Sequence, residues 1–233
     1  MITALVTGGT TGIGGEVVDR LLSLGYGVSY TSRKTDIEDP RTNAIAYNLD
    51  LCDTSTVDEL VATISNQKKQ FDLIILNAGY TEFVSLKDTL DSLSPETFDL
   101  VIRANLTNNY RLLFGLAPLI RPNGHVILIS SVAAYTGIGS NLAYTLSKQC
   151  LKTMAAILAK NNNNGLRFNA VAPGLTKTNF TEEFPDEYFE SYRKDTPLDR
   201  LATVNDIADA VISLETEMKF VNGQTILVDG GYY

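Results

Sequence analysis

Short runs of Val, Ile, Leu and Ala alternate along the chain with longer stretches whose apolar residues recur every three or four positions. Ile2–Val6 reads as a buried strand, and a glycine-rich turn follows from Gly8 to Gly15. Behind it Ile13, Val17, Val18, Leu21 and Leu22 fall at helical spacing, and Gly25 fits a C-cap. Tyr26–Ser32 reads as a second strand and Ile45–Tyr47 as a weak third. Ser55 is placed to cap a helix that turns Val57, Leu60, Val61 and Ile64 to one face. Asp72–Leu76 is a fourth strand. Ser94-Pro95-Glu96 opens a helix to about Gly115, with Pro at its first position and an acid in its first turn. Val126–Ile129 is a fifth strand, and a helix from Asn141 to Lys160 ends in the run Asn161–Asn164. Leu166–Val171 is a sixth strand, whereas Gly174 to Leu201 fits no long period. Thr203-Val204-Asn205-Asp206 opens a last helix through Ile212, before a final strand at Thr225–Val228.

Strands that are apolar on both faces and alternate with helices predict an α/β, doubly wound, mostly parallel sheet of seven strands with helices on both faces. The 233 residues allow one large domain or two small ones. No linker, repeat or low-complexity block divides them, so residues 1–233 are expected to form one domain. Hydrophobic residues at 44% supply a large core, and 20% charge is too little for a disordered chain. The formal net charge of −8 argues against nucleic acid and against loose binding to an anionic membrane as partners. His125 is the one histidine, so a His-rich metal site is excluded. Cys52 and Cys150 lie far apart and read as free thiols of a reducing compartment. Without a signal peptide or a run of ~18–20 apolar residues, the expectation is a soluble cytoplasmic protein.

Thr7-Gly8-Gly9-Thr10-Thr11-Gly12-Ile13-Gly14 lies between the first strand and the first helix. Glycines there let the backbone approach a pyrophosphate, and the helix N-terminus offers it free N–H groups. The context of strand, turn and helix makes this a nucleotide site. The spacing G-x-x-x-G-x-G resembles the T-G-x-x-x-G-x-G signature of the short-chain dehydrogenase/reductase family. Further landmarks of that family follow in order: Asn77-Ala78-Gly79, Asn105 within Ala104-Asn105-Leu106, and Ser131 thirteen residues before the Y-x-x-x-K motif Tyr144–Lys148. Pro173-Gly174 with Thr178 and the ending Val228-Asp229-Gly230-Gly231 complete the set. The resemblance covers essentially the whole chain and is strongest to 3-oxoacyl-(acyl-carrier-protein) reductase-like members. It implies a Rossmann-type fold and NADP(H)-dependent reduction of a ketone.

It also implies roles. The dinucleotide would touch Gly8, Thr10, Thr11, Gly12, Ile13 and Gly14 in the turn, and Ser32 and Arg33 after the second strand. Asp50 and Leu51, then Asn77, Ala78 and Gly79, follow the third and fourth strands. Tyr144 and Lys148, with Pro173, Gly174, Thr176 and Thr178, complete the contacts. Arg33 next to Ser32 suits the 2′-phosphate of NADP, since a guanidinium pairs bidentately with phosphate. The other reading takes Arg33 and Lys34 as surface charge and Asp36 as the ribose ligand. Asp50 reads equally as an adenine contact or a turn cap.

The resemblance makes Tyr144 the general acid in reduction. A phenol titrates near 10, too high for neutral pH, and Lys148 one helical turn on is expected to lower that value and to hold the nicotinamide ribose. Ser131 would bind the substrate oxygen, and Asn105 would hold a water relaying protons towards Lys148. His125 reads as structural.

Residues 175–201 resemble the family's substrate lid. Phe184, Tyr188 and Tyr192 recur at helical spacing there, among Phe180, Phe189 and the acids Glu182, Glu183, Asp186, Glu187 and Glu190. They read either as an aromatic entry or as ordinary packing. Acyl-carrier reductases of the family often carry basic residues where this chain has Pro122 and Asn164, with Arg121 alone nearby, and Ala134-Tyr135 replaces a common glycine region. The expected partner is a small-molecule carbonyl substrate, carrier-bound or a free ketone, in a homo-oligomer, tetramer or dimer. A non-catalytic NADP(H) sensor is the rival from another class.

Overall fold

The structure is a computed structural model and describes residues 1–33, 41, 43–84, 92–162 and 164–233. Lys34, Asp36 and Asn163 lie outside the described residues. Seven strands form one parallel sheet: β1 (Thr3–Val6), β2 (Gly27–Ser32), β3 (Ala44–Asn48), β4 (Phe71–Leu76), β5 (Ile120–Ile129), β6 (Arg167–Pro173) and β7 (Thr225–Val228). Their order is β3-β2-β1-β4-β5-β6-β7, and the sheet is the doubly wound, seven-stranded one that the alternating pattern predicts.

Alternate residues of each strand enter opposite cores. Leu5, Ile74, Leu76, Val126, Leu128 and Phe168 pack on one side with α2 (Thr54–Asn66), α4 (Asn108–Leu116) and α6 (Leu142–Lys160). Ala4, Val6, Leu73, Ile75, Ile127 and Val171 pack on the other with α1 (Gly12–Ser23) and α8 (Val204–Thr216). Both faces being dry is why these strands read as continuous apolar runs.

Local chemistry corrects several boundaries. Asp53, not Ser55, caps α2: its carboxylate accepts from Ser55 N at 2.9 Å. Leu24 is the C-cap of α1, and Gly25 follows it in the left-handed region at φ +81°. The helix opened by Ser94 is not continuous. It runs as α3 (Pro95–Ile102), widens into a π-helical turn at Arg103–Thr107, and resumes as α4. A short α5 (Ala133–Thr136) follows β5, and the lid carries α7 (Asp186–Asp195). The last helix reaches Thr216 instead of Ile212.

His125 is structural, as the sequence suggests. It is buried in β5, where Asn169 Nδ2 donates to its Nε2 at 2.9 Å. The orientation of that amide is fixed, since Asn169 Oδ1 accepts from Gln224 N at 3.0 Å and Nδ2 also donates to Val221 O at 2.9 Å. Its Nδ1 lies 2.9 Å from Glu215 Oε2 and 2.9 Å from Arg167 NH2. Burial holds the His125 pKa down, so the ring stays neutral.

Candidate active site

All seven strands run the same way, so their carboxyl ends share one edge of the sheet, and a long cleft opens there. It is lined by the glycine turn, the ends of β2, β4, β5 and β6, the start of α6 and the lid. Its volume is ≈ 310 Å³.

The nucleotide end is built from backbone. Gly8 and Gly12 take φ of +66° and +60°, which side chains rarely adopt. Thr11 precedes α1 without a side-chain cap bond, so the helix's first N–H groups are left for a ligand. A cradle of bare N–H groups at a helix start fits a dinucleotide pyrophosphate. Thr7 and Asn77 lock β1 to β4 beneath it. Asn77 N and Ala78 N each donate to Thr7 Oγ1 at 2.9 Å, and Asn77 Nδ2 reaches Thr7 O at 2.9 Å.

Ser32, Arg33, Asp50 and Leu51 line the same end. Asp50 lines the cleft, and its Oδ1 accepts from Cys52 N at 2.9 Å, the turn cap that the sequence offered. Cys52 also lines this end, with its thiol pushed up to about 11, chiefly by burial.

Gly8, Thr10, Thr11, Gly12, Ile13, Ala78, Gly79, Pro173, Gly174, Thr176 and Thr178 all line the cleft. Gly14 does not. It lies under the turn, where a Cβ would come 2.2 Å from Gly8 O, so it serves helix–turn packing.

Sequence reasoning missed Arg41. Its NH1 donates to Gly9 O at 2.7 Å, its NH2 reaches Thr10 O at 3.4 Å, and its Nε pairs with Asp19 at 2.7 Å. One guanidinium thus clasps the carbonyls on the back of the turn. Its partners on the turn are main-chain oxygens, which leave no motif; only an arginine some thirty residues after a glycine turn could have hinted at it.

At the other end Ser131, Tyr144 and Lys148 line one wall. Asn141 caps α6, its Oδ1 accepting from Tyr144 N at 2.7 Å, and this sets where the tyrosine leaves the helix. The two adjacent serines divide. Ser130 Oγ donates to Lys148 O at 2.7 Å, anchoring β5 to α6, whereas Ser131 Oγ accepts from Ala133 N at 3.1 Å and faces the Tyr144 hydroxyl closely enough to favour its ionised form. Lys148 is buried, donates from Nζ to Ile129 O at 2.9 Å, and lies 5.5 Å from the Tyr144 ring centre.

The titration runs opposite to the sequence expectation. Tyr144 is pushed up to about 12: burial raises it, the Ser131 hydroxyl only partly opposes, and Tyr188 adds to the rise. Lys148 is pushed down to about 8 by burial. The ammonium is directed at a carbonyl oxygen, so desolvation outweighs its attraction for a phenolate.

Asn105 sits in the π-helical turn and does not line the cleft. Its Oδ1 accepts from Tyr80 N at 2.7 Å, and its Nδ2 donates to Tyr80 O at 2.8 Å and to Ser147 Oγ at 3.2 Å. Both Nδ2 protons and one lone pair of Oδ1 are thus engaged within the protein. The side chain fastens the segment after β4 to α6. A Cβ at Gly79 would come 3.0 Å from Asn105 Oδ1 and 3.6 Å from Lys148 Nζ, so both groups converge on that glycine.

The family model described as enoyl-(acyl carrier protein) reductase matches residues 8–233. A 3-oxoacyl-(acyl-carrier-protein) reductase, FabG, of Buchnera aphidicola is 32% identical over 246 residues, covering 99% of this chain and 97% of that protein. The chain belongs to the short-chain dehydrogenase/reductase family. It is an oxidoreductase of the kind that acts on CH–OH and ketone groups. A second relative in the family, the granaticin polyketide synthase putative ketoacyl reductase 2 of Streptomyces violaceoruber, is 32% identical over 237 residues, with 98% and 94% covered. A short-chain dehydrogenase of Burkholderia cenocepacia, solved in complex with NADP, superposes with a TM-score of 0.87 at 25% identity, covering 99% of this chain and 97% of that one. No helix among the described residues is long and apolar enough to cross a membrane.

Proposed function

We propose that this short-chain dehydrogenase/reductase uses NADPH to reduce a ketone to a secondary alcohol; the relatives it resembles are, by name, reductases of 3-oxoacyl or ketoacyl groups. The observation that carries this reading is the cleft itself, which joins the uncapped glycine turn to Ser131, Tyr144 and Lys148.

Bound at the glycine turn, NADPH supplies the hydride. Ser131 Oγ holds the carbonyl oxygen and Tyr144 gives it a proton, which it can do because its hydroxyl stays protonated at neutral pH. Lys148 holds the ribose and stabilises the phenolate left behind. Asn105 acts through position, keeping the π-helical turn against α6. Residues 175–201 are the lid of a domain spanning 1–233. Arg33 at the cleft supports the choice of NADP, through its fit to a 2′-phosphate. A carrier-bound 3-oxoacyl thioester is the substrate the relatives suggest. A free small ketone is the second reading, favoured because Arg121, the cation nearest the expected carrier site, is paired with Asp72 at 2.5 Å.

The test follows absorbance at 340 nm with a panel of acetoacetyl thioester and free ketones, using NADPH and NADH in parallel. Consumption with NADPH is expected, and Arg33→Ala should raise the KM for NADPH about ten- to a hundredfold while changing that for NADH little. Equal losses for both cofactors would refute the 2′-phosphate role. Tight NADPH binding with no turnover of any carbonyl compound would favour a sensor.

A further inference from the structure

The cleft changes character along its length. Its charged lining residues are Arg33 and Asp50 at the nucleotide end and Lys148, whose ammonium donates to Ile129 O at 2.9 Å. Beyond Tyr144 the wall is mainly aromatic, with Tyr80, Phe180, Phe184, Tyr188 and Tyr192, beside the neutral polar Ser140 and Asn179, and no charged residue is among the described lining.

The rings are arranged in two tiers. Phe189 and Tyr192 of α7 are buried with Val132 and Leu175, fixing the lid to the body, and Tyr192 also reaches the cleft wall. Phe180, Phe184 and Tyr188 keep part of their surface open and face the cleft. Phe180 lies 6.0 Å from the Tyr144 ring, tilted by 43°. Phe184 and Tyr188 meet edge to face at 5.8 Å, and Phe83 packs against them at 4.9 and 5.8 Å. The lid helix therefore does both things the sequence left open: one tier packs, the other presents apolar ring faces beside the reacting hydroxyl. Such faces bind another ring by stacking and edge contacts, beyond what apolar area alone gives.

The lid segment that carries these rings is acidic: Glu182, Glu183, Asp186 and Glu187 are exposed on it, and Lys177 is drawn to Asp186 at 3.7 Å. An anionic substrate or an acidic carrier would meet negative charge there.

We infer that the substrate is a free, uncharged ketone whose non-reacting body is a flat apolar ring system. This rests on the reading of the site as a ketone reductase. The full chain with NADPH is given 2-tetralone, its straight-chain counterpart 2-decanone with the same carbon count, and the acetoacetyl thioester of N-acetylcysteamine. The kcat/KM for 2-tetralone is expected to be the highest of the three. Phe184→Leu keeps apolar volume and removes the ring face; it should raise the KM for 2-tetralone about three- to tenfold with a smaller change in kcat. NADPH binding by this variant, followed by fluorescence, should match the parent chain. A higher kcat/KM for the thioester overturns the free ketone, and one for 2-decanone overturns the ring, while ketone reduction stands in both cases. An unchanged KM in Phe184→Leu also overturns the inference. No turnover of any of the three with NADPH bound overturns the ketone-reductase reading and the inference with it.

Discussion

Tyr144 and Lys148 are shifted away from each other, one up to about 12 and the other down to about 8. For reduction this is the useful direction, because the acid is protonated throughout the neutral range. Lys148 sets the alkaline limit. As pH rises through about 8 it loses the charge that stabilises the phenolate, so kcat/KM for ketone reduction should fall there. A profile flat to pH 10 would contradict this. The same shift bears on stability. Below pH 8 Lys148 is charged folded and unfolded, and its burial costs stability; between about 8 and 10.5 only the unfolded chain binds the proton, so that cost is relieved as pH rises. Identities at this scale were legible. The thirteen-residue spacing selects Ser131, and the structure gives Ser130 a different bond. The sign of the tyrosine shift was not legible, because it depends on where the ammonium points and how dry the site is.

Element by element, the helices gave up their cores to periodicity and withheld their ends. Asp53 and Ser55 both suit a cap, and which accepts is decided by a backbone angle. The π-helical turn left no mark either: its sequence, Arg103–Thr107, is ordinary helix former, and the extra residue is held by Asn105 and by Asn109, whose Nδ2 donates to Asn105 O at 2.9 Å. The glycine turn was legible; its clasp by Arg41 was not, since that contact spans thirty-one residues or more. Arg41→Met should weaken binding of NADPH and NADH alike by about tenfold, the worth of a charge-assisted hydrogen bond to a carbonyl, with kcat little changed. Arg41→Lys should restore part of it. An effect on kcat alone, read from steady-state kinetics, would rule out a role in positioning the turn.

Across the whole molecule the parallel, doubly wound sheet was legible from alternation, and right-handed crossovers leave few ways to order its strands. Surface chemistry is less predictable from pattern. Phe114 is 70% exposed on α4 with Tyr110 beside it, and Ile157 is exposed on α6, an apolar display that suits burial against a second copy. Light scattering should therefore show a dimer or tetramer, and Phe114→Glu should shift it towards smaller species. A monomeric parent chain would contradict that expectation.

The central claim is that one tyrosine delivers the proton in an NADPH-dependent ketone reduction. The most direct measurement compares Tyr144→Phe with the parent chain, by NADPH fluorescence titration and by turnover of a ketone that the parent reduces. The account predicts unchanged NADPH affinity and a kcat lower by about 10²- to 10⁴-fold. Turnover at the parent rate in Tyr144→Phe would contradict it.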